Sequence, residues 1–303
     1  MAWRKGNRLR LVSEAEAQGR TLEIYGEIKH AMGVPHVNVV YQAFAAYPVF
    51  LDLHWRSFRP VLETQEFFNL SDRLRADAYT RTHNYFAIPD LWSLLADVSF
   101  SEGAHEELAE VIDLFHYQNP LLLLLLAAQV QAFEGPVGES KPAVSPALIS
   151  GFEYKPILIE DASATPRVRQ VLDEIRRILR LPFLNTDYRA LARWPDILAA
   201  YWQALKQVVQ SPLYESSHYG VRETAYALAR ELPGPIELTT NQLSEAGMDD
   251  TDISSVVRMT ELFVQSISGL LLNIAFAKIG FEGGNRKPAQ AEKGEGGLPR
   301  QVA

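Results

Sequence analysis

The chain contains no cysteine. That excludes disulfides, thiol nucleophiles and Cys-ligated zinc or iron–sulfur sites, and it suits a reducing cytoplasm. Positive charge is also in short supply, with 29 Lys and Arg against 37 Asp and Glu and a formal net charge of −8. There is no run of like charge and no basic stripe interleaved with aromatics, so neither nucleic acid nor an anionic membrane is expected as a partner. The longest apolar run is PLLLLLLAA, 120–128. It is too short to span a bilayer, which takes about 20 residues, and reads instead as a helix buried on all sides. The N-terminus, MAWRKGNRLRLVSEAEAQG, is basic but has no apolar h-region, so no signal peptide is expected. The seven histidines show no HExxH and no metal-ligand spacing, and GxGxxG, the P-loop and GxSxG are missing too. The expectation is therefore no metal and no cofactor.

What the chain does contain is a copy of itself. VPHVNVVYQAFAAYP (34–48) aligns with LPFLNTDYRALARWP (181–195), matching Pro35 with Pro182, Asn38 with Asn185, Tyr41 with Tyr188, Ala43 with Ala190 and Pro48 with Pro195. Upstream, EIKHAMGVP (27–35) meets EIRRILRLP (174–182); downstream, Trp55 meets Trp202, Arg59 meets Lys206 and Arg75 meets Arg222. LFHYQNPLLLLLLAA (114–128) meets LFVQSISGLLLNIAF (262–276). Segments such as TLEIYGEIKHAM and DILAAYWQALKQVV place apolar residues at i, i+3, i+4 and i+7. The fold class is thus all-α: two pseudo-twofold related helical repeats of about 115 residues joined by a long linker. Expected boundaries are an N-terminal segment 1–19, repeat 1 at 20–133, a Pro/Gly/Ser-rich linker at 134–166, repeat 2 at 167–281 and a polar tail at 282–303, expected to be disordered.

Duplication supplies an internal control. Positions that agree point to packing and capping. Asn38 and Asn185 both precede a helical run and read as N-caps, and Pro35 and Pro182 both end the preceding helix. Positions that differ in kind are candidates for chemistry. Asp187 stands where the first copy has Val40, and Asn119 stands where the second copy has Ile267. A slot filled by Val or Ile in one copy is usually buried, and a buried carboxylate or amide is costly without partners. Both asymmetries are explained if the two polar groups line one cavity between the units and hold a water, with Asp187 taking its proton and Asn119 orienting it. Each residue also has a plain structural explanation. An Asp in a first helical turn is favoured by the helix dipole, and Asn-Pro at 119–120 is an ordinary turn starter.

At NTDYRALARWP and YQNPLLLLL, inside this duplicated helical frame, the chain resembles the group I 2-haloacid dehalogenases, cofactor-independent enzymes acting on both D and L substrates. The resemblance covers about residues 20–281. It implies direct hydrolysis, in which an aspartate activates a water that attacks the halogen-bearing Cα with inversion and without an ester intermediate. By the same carry-over Asp187 is the base and Asn119 its partner. Tyr41, Ala43 and Phe44 then form pocket wall from the first unit, Asn185 and Thr186 flank the base, and Phe263, Ser266 and Ile267 close the far side. The chain departs from the family at the wall. Tyr41 replaces an indole, Asn185 a small residue, Thr186 a serine and Phe263 a tyrosine. The resemblance further implies a halogenated carboxylic acid as the small-molecule partner and a homodimer, and the expected compartment is the cytoplasm. Two alternatives stand beside this reading: a same-fold hydrolase acting on another small carboxylic acid, and a non-catalytic helical binding or interaction protein.

Overall fold

The computed structural model describes residues 9–139, 145–149, 151–160, 162–181 and 183–285. The expected linkage of Pro182 to a helix end, and the tail from 286 onward, lie outside the described residues. The chain is helical, and among the described residues pairing between extended segments is limited to isolated bridges. Five helices come from the first half: α1 (Gly19–Met32), α2 (Val39–Phe44), α3 (Pro48–Leu62), α4 (Gln65–Tyr85) and α5 (Ala104–Ala132). The second half supplies α6 (Pro166–Ile178), α7 (Thr186–Leu191), α8 (Pro195–Val209), α9 (Pro212–Ala229), α10 (Thr240–Glu245) and α11 (Asp250–Phe281).

Local sequence explains the elements. Pro48, Pro166, Pro195 and Pro212 open α3, α6, α8 and α9, where a missing N–H costs nothing. Thr64, Thr165 and Ser211 accept from backbone amides as N-caps of α4, α6 and α9. The duplicated Trp55 and Trp202 each donate an indole N–H to an acid of the first helix of their own unit, Glu27 and Glu174. Arg59 and Lys206 pair with the same two carboxylates. Arg75 and Arg222 pair with local acids, Asp72 and Glu223.

At the centre α5 and α11 pack lengthwise against each other, with α4 and α9 alongside. Both central helices carry charge in their first turns and long, mostly buried apolar stretches after them. By length and hydropathy each is able to cross a membrane, which the longest apolar run alone had not indicated, but 83% and 78% of their apolar windows are buried inside the protein. They are the core on which the smaller helices pack. The 120–128 run is helical and buried, as read, and Pro120 lies inside α5 rather than after a turn at Asn119, because burial between helices outweighs the lost backbone hydrogen bond.

Described parts of the linker touch both units. Val137 exchanges backbone hydrogen bonds with Ile236, Ser145 and Ala147 bond to Gln65 and Glu63, and Ile159 donates to Arg189. The first residues assigned to the tail are placed. Glu282 caps α11, and Asn285 holds the 86–88 backbone, accepting from the Ile88 amide and donating to the Phe86 carbonyl.

Candidate active site

The two asymmetric polar residues meet. Asn119, midway along α5, donates its Nδ2 proton to Asp187 Oδ1 at 2.7 Å. Asp187 lies in the first turn of α7 and is only 5% exposed; Asn119 is 3% exposed. Between them and their neighbours is a cavity of about 20 Å³. That is the room of about one water molecule.

The lining follows the duplication. Asn38, Val39 and Val40 at the start of α2 face Asn185, Thr186 and Asp187 at the start of α7. From the two long helices, Phe115, Asn119 and Leu122 of α5 face Phe263, Ile267 and Leu270 of α11, and Gln118 adds one more side chain from α5. Each of these couples is aligned in the sequence, so the cavity straddles the junction between equivalent parts of the two units. Its polar pair, Asp187 and Asn119, combines one residue from each unit. The residues occupying the equivalent slots, Val40 and Ile267, are both hydrophobic and line the same space. One half of the cavity can titrate and the other cannot.

Burial pushes the Asp187 carboxyl up to about 6, against the opposing pull of Asn119 and of the aspartate's own backbone amide. Helix-terminal placement and burial act in opposite directions on this carboxylate, and burial prevails. An acid held near 6 is ionised at neutral pH yet still basic enough to take a proton.

Asn38 and Asn185 occupy equivalent N-cap positions but behave differently. Asn38 Oδ1 accepts from the Val40 and Tyr41 amides at 3.0 and 3.3 Å, as a cap should. Asn185 makes no side-chain cap. Its Nδ2 donates instead to Ser266 Oγ on α11 at 3.0 Å. The expected cap is therefore lost, because the side chain is committed across to the neighbouring helix.

Among the other candidates, Thr186, Phe263 and Ile267 line the cavity. Ser266 does not, and reaches it through Asn185. Tyr41, Ala43 and Phe44 were expected at the wall, but they are fully buried behind it. The first turn of α2 faces the cavity and the following residues turn into their own unit. There Tyr41 packs edge-on to Phe44, His54 and Trp55, and Phe44 reaches the back of Phe263 at 6.4 Å. Two polar lining residues were missed, Asn38 and Gln118. Asn38 Nδ2 and Gln118 Oε1 are buried without a protein partner. Gln118 had a signal, since it faces Ser266 in the alignment. A third, Asn273, faces Leu125 and bonds to Tyr188, Tyr201 and Tyr214 behind the site.

Comparison with known proteins follows from this geometry. The family model described as "Halocarboxylic acid dehydrogenase DehI" matches residues 35–188. An (R)-2-haloacid dehalogenase of Pseudomonas putida is 30% identical over 276 residues, covering 89% of this chain and 92% of the relative. An (R)-2-haloacid dehalogenase of Rhizobium sp. (strain NHG3) is 32% identical over 237 residues, covering 76% and 90%. A solved D-2-haloacid dehalogenase in complex with L-LA superposes with a TM-score of 0.86 at 28% identity, covering 91% of this chain and 97% of that one.

Proposed function

The chain belongs to the DehI family of 2-haloacid dehalogenases, and from that premise we propose that it hydrolyses short 2-haloalkanoates to 2-hydroxyalkanoates by direct attack of water on Cα. The observation that carries the mechanism is the buried Asp187–Asn119 pair beside a space of one water. Asp187 takes a proton from that water, and its oxygen attacks Cα from the side opposite the halogen. The carbon–halogen bond breaks, halide leaves with the electron pair, and configuration at Cα inverts. Asn119 holds Asp187 Oδ1, so the carboxylate presents a fixed oxygen to the water.

The rest of the wall suits the other groups of the substrate. Thr186 and the free Asn38 Nδ2 are uncharged donors for a carboxylate. Phe115, Phe263, Ile267 and Leu270 offer an apolar surface to a weakly hydrated halogen. Because the walls come in matched couples, a substrate can be seated with its halogen on either side. We take the enzyme to be of the cofactor-independent group I type and to accept both enantiomers. The (R) form is the better substrate, in line with the names of the two relatives. A cytoplasmic homodimer completes the reading.

A single turnover in ¹⁸O-labelled water, with enzyme in excess over 2-chloropropionate, tests the mechanism. Direct attack puts labelled oxygen on C2 of the first product. Unlabelled oxygen there, with label gained by Asp187 on repeated cycles, overturns it in favour of an ester route. A non-catalytic role predicts an exposed Asp187 with no adjoining cavity, and the carboxylate is instead buried on one.

A further inference from the structure

A cavity of about 20 Å³ holds a water but no haloacid, so the substrate must enter through a wall that opens. Across one wall lies a second, much larger space. A groove of about 650 Å³ runs between the end of α6, the α8–α9 turn and α11, and Leu270 lines both it and the Asp187 cavity. Ser266, which bonds Asn185 of the cavity, also faces this groove.

The first unit has the same groove, filled by the chain itself. Linker residues 145–149 and 151–152 lie in it: Gln65 donates to Ser145, Ala147 to Glu63 and Phe152 to Gly33. Phe152 also packs on Tyr117 at 5.2 Å between ring centroids. Side chains on the central helices match this difference. On α5 Tyr117 packs on the linker; its aligned residue on α11, Gln265, lines the open groove with Gly269 and Asn273, which align with Leu121 and Leu125. One groove is occupied by the linker; the other is open and carries Gln265, Ser266 and Asn273 on its α11 side.

At its mouth the second groove carries a third asymmetry. Gly33 ends α1 in the left-handed conformation, φ 63, where a Cβ would collide with Ile149. The aligned residue is Arg180, φ 54, and among the described residues it is the one non-glycine with positive φ. A bulky residue there is a costly choice where glycine is the usual solution. Its side chain is exposed and makes no ion pair or hydrogen bond to described residues. Arg177 stands beside it, its charge shared with Glu174 at 3.6 Å, and Glu215 lies on the opposite lip. The whole chain carries −8, so an anion approaching it needs a locally positive entrance.

We propose that this groove is the capture site for the anionic substrate, with Arg180 binding its carboxylate and the Ser266–Leu270 wall opening to Asp187. The proposal rests on the function argued above and deepens it. Its test is a titration of ¹⁵N-labelled full-length Asp187→Asn protein, which does not turn over, with 2-chloropropionate, followed by amide shifts. The uncharged 2-chloropropionamide is the control. Saturable shifts at residues 177–181 and 210–215 are expected with the acid only. They are lost in Arg180→Glu and retained in Arg180→Lys. In the active enzyme, Arg180→Glu lowers kcat/KM about fivefold or more at low ionic strength, with kcat unchanged, and the loss shrinks as salt screens the charge. Silence of the groove amides, or equal shifts with Arg180→Glu, overturns the proposal. So does an equal fall in kcat and kcat/KM, which marks a structural defect. Failure of the wild type to release halide from any haloacid refutes the dehalogenase reading instead, and the titration still decides the capture site.

Discussion

At the scale of the residue, folding makes one carboxylate harder to ionise. Asp187 goes from an ordinary value of 3.8 to about 6 on burial. The folded state therefore binds more protons than the unfolded state between those values, and stability falls as pH rises through that window. The penalty is fully present above about 6 and amounts to about 3 kcal/mol. Asp187→Asn removes it, so the variant's stability relative to wild type should climb from pH 4 to pH 7 in urea denaturation series, while turnover is lost. Activity of the wild type should fall on the acid side with a midpoint near 6. Asn119→Ala removes a hydrogen bond that favours the ionised form, so its acid limb should move to higher pH in kcat–pH profiles. Both residues were legible as polar side chains facing hydrophobes in the other copy. Asn38 escaped because its twin is also Asn, and an identical couple signals packing. Nothing in the sequence says that one asparagine of that couple caps its helix and the other does not.

At the scale of the element, the difference between those two asparagines is measurable. Asn38→Ala should cost about 1 kcal/mol of stability through loss of the α2 cap, and Asn185→Ala clearly less, both read as shifts in urea midpoint. Asn185→Ala should show its effect in KM, since Asn185 lines the cavity and ties it to Ser266 of the neighbouring groove. Helix positions were readable from apolar periodicity and from the prolines that open α3, α6, α8 and α9. Pro120 was not, because Asn-Pro has the same local signature in a turn and in a helix held by its surroundings. Tyr41, Ala43 and Phe44 lie behind the closed cavity, a placement that was not legible for a related reason. α2 is six residues long, and sequence alone does not tell which side of so short a helix faces the partner unit.

At the scale of the whole molecule, two similar units bury a shared core and then differ at a few positions. The cavity at their junction has matched walls, but its one carboxylate, Asp187, has Val40 as its counterpart. The groove beside it is plugged in one unit and open in the other. Repetition made the fold readable. It did not reveal that the linker occupies one groove, because that depends on a segment with no counterpart in the alignment. The matched walls lead to a further prediction. Val40→Asp puts a second carboxylate into the same small cavity, and two like charges there cannot both ionise easily. The acid limb of activity should then move above 6, and stability should fall more steeply toward alkaline pH than in the wild type, as read from thermal midpoints across pH. The most direct test of the central claim is halide release from (R)- and (S)-2-chloropropionate, assayed separately with the wild type and with Asp187→Asn. Release from both enantiomers, faster from (R) and abolished in the folded variant, is the predicted result. Near-normal release by Asp187→Asn, or none by the wild type from either enantiomer, would contradict it.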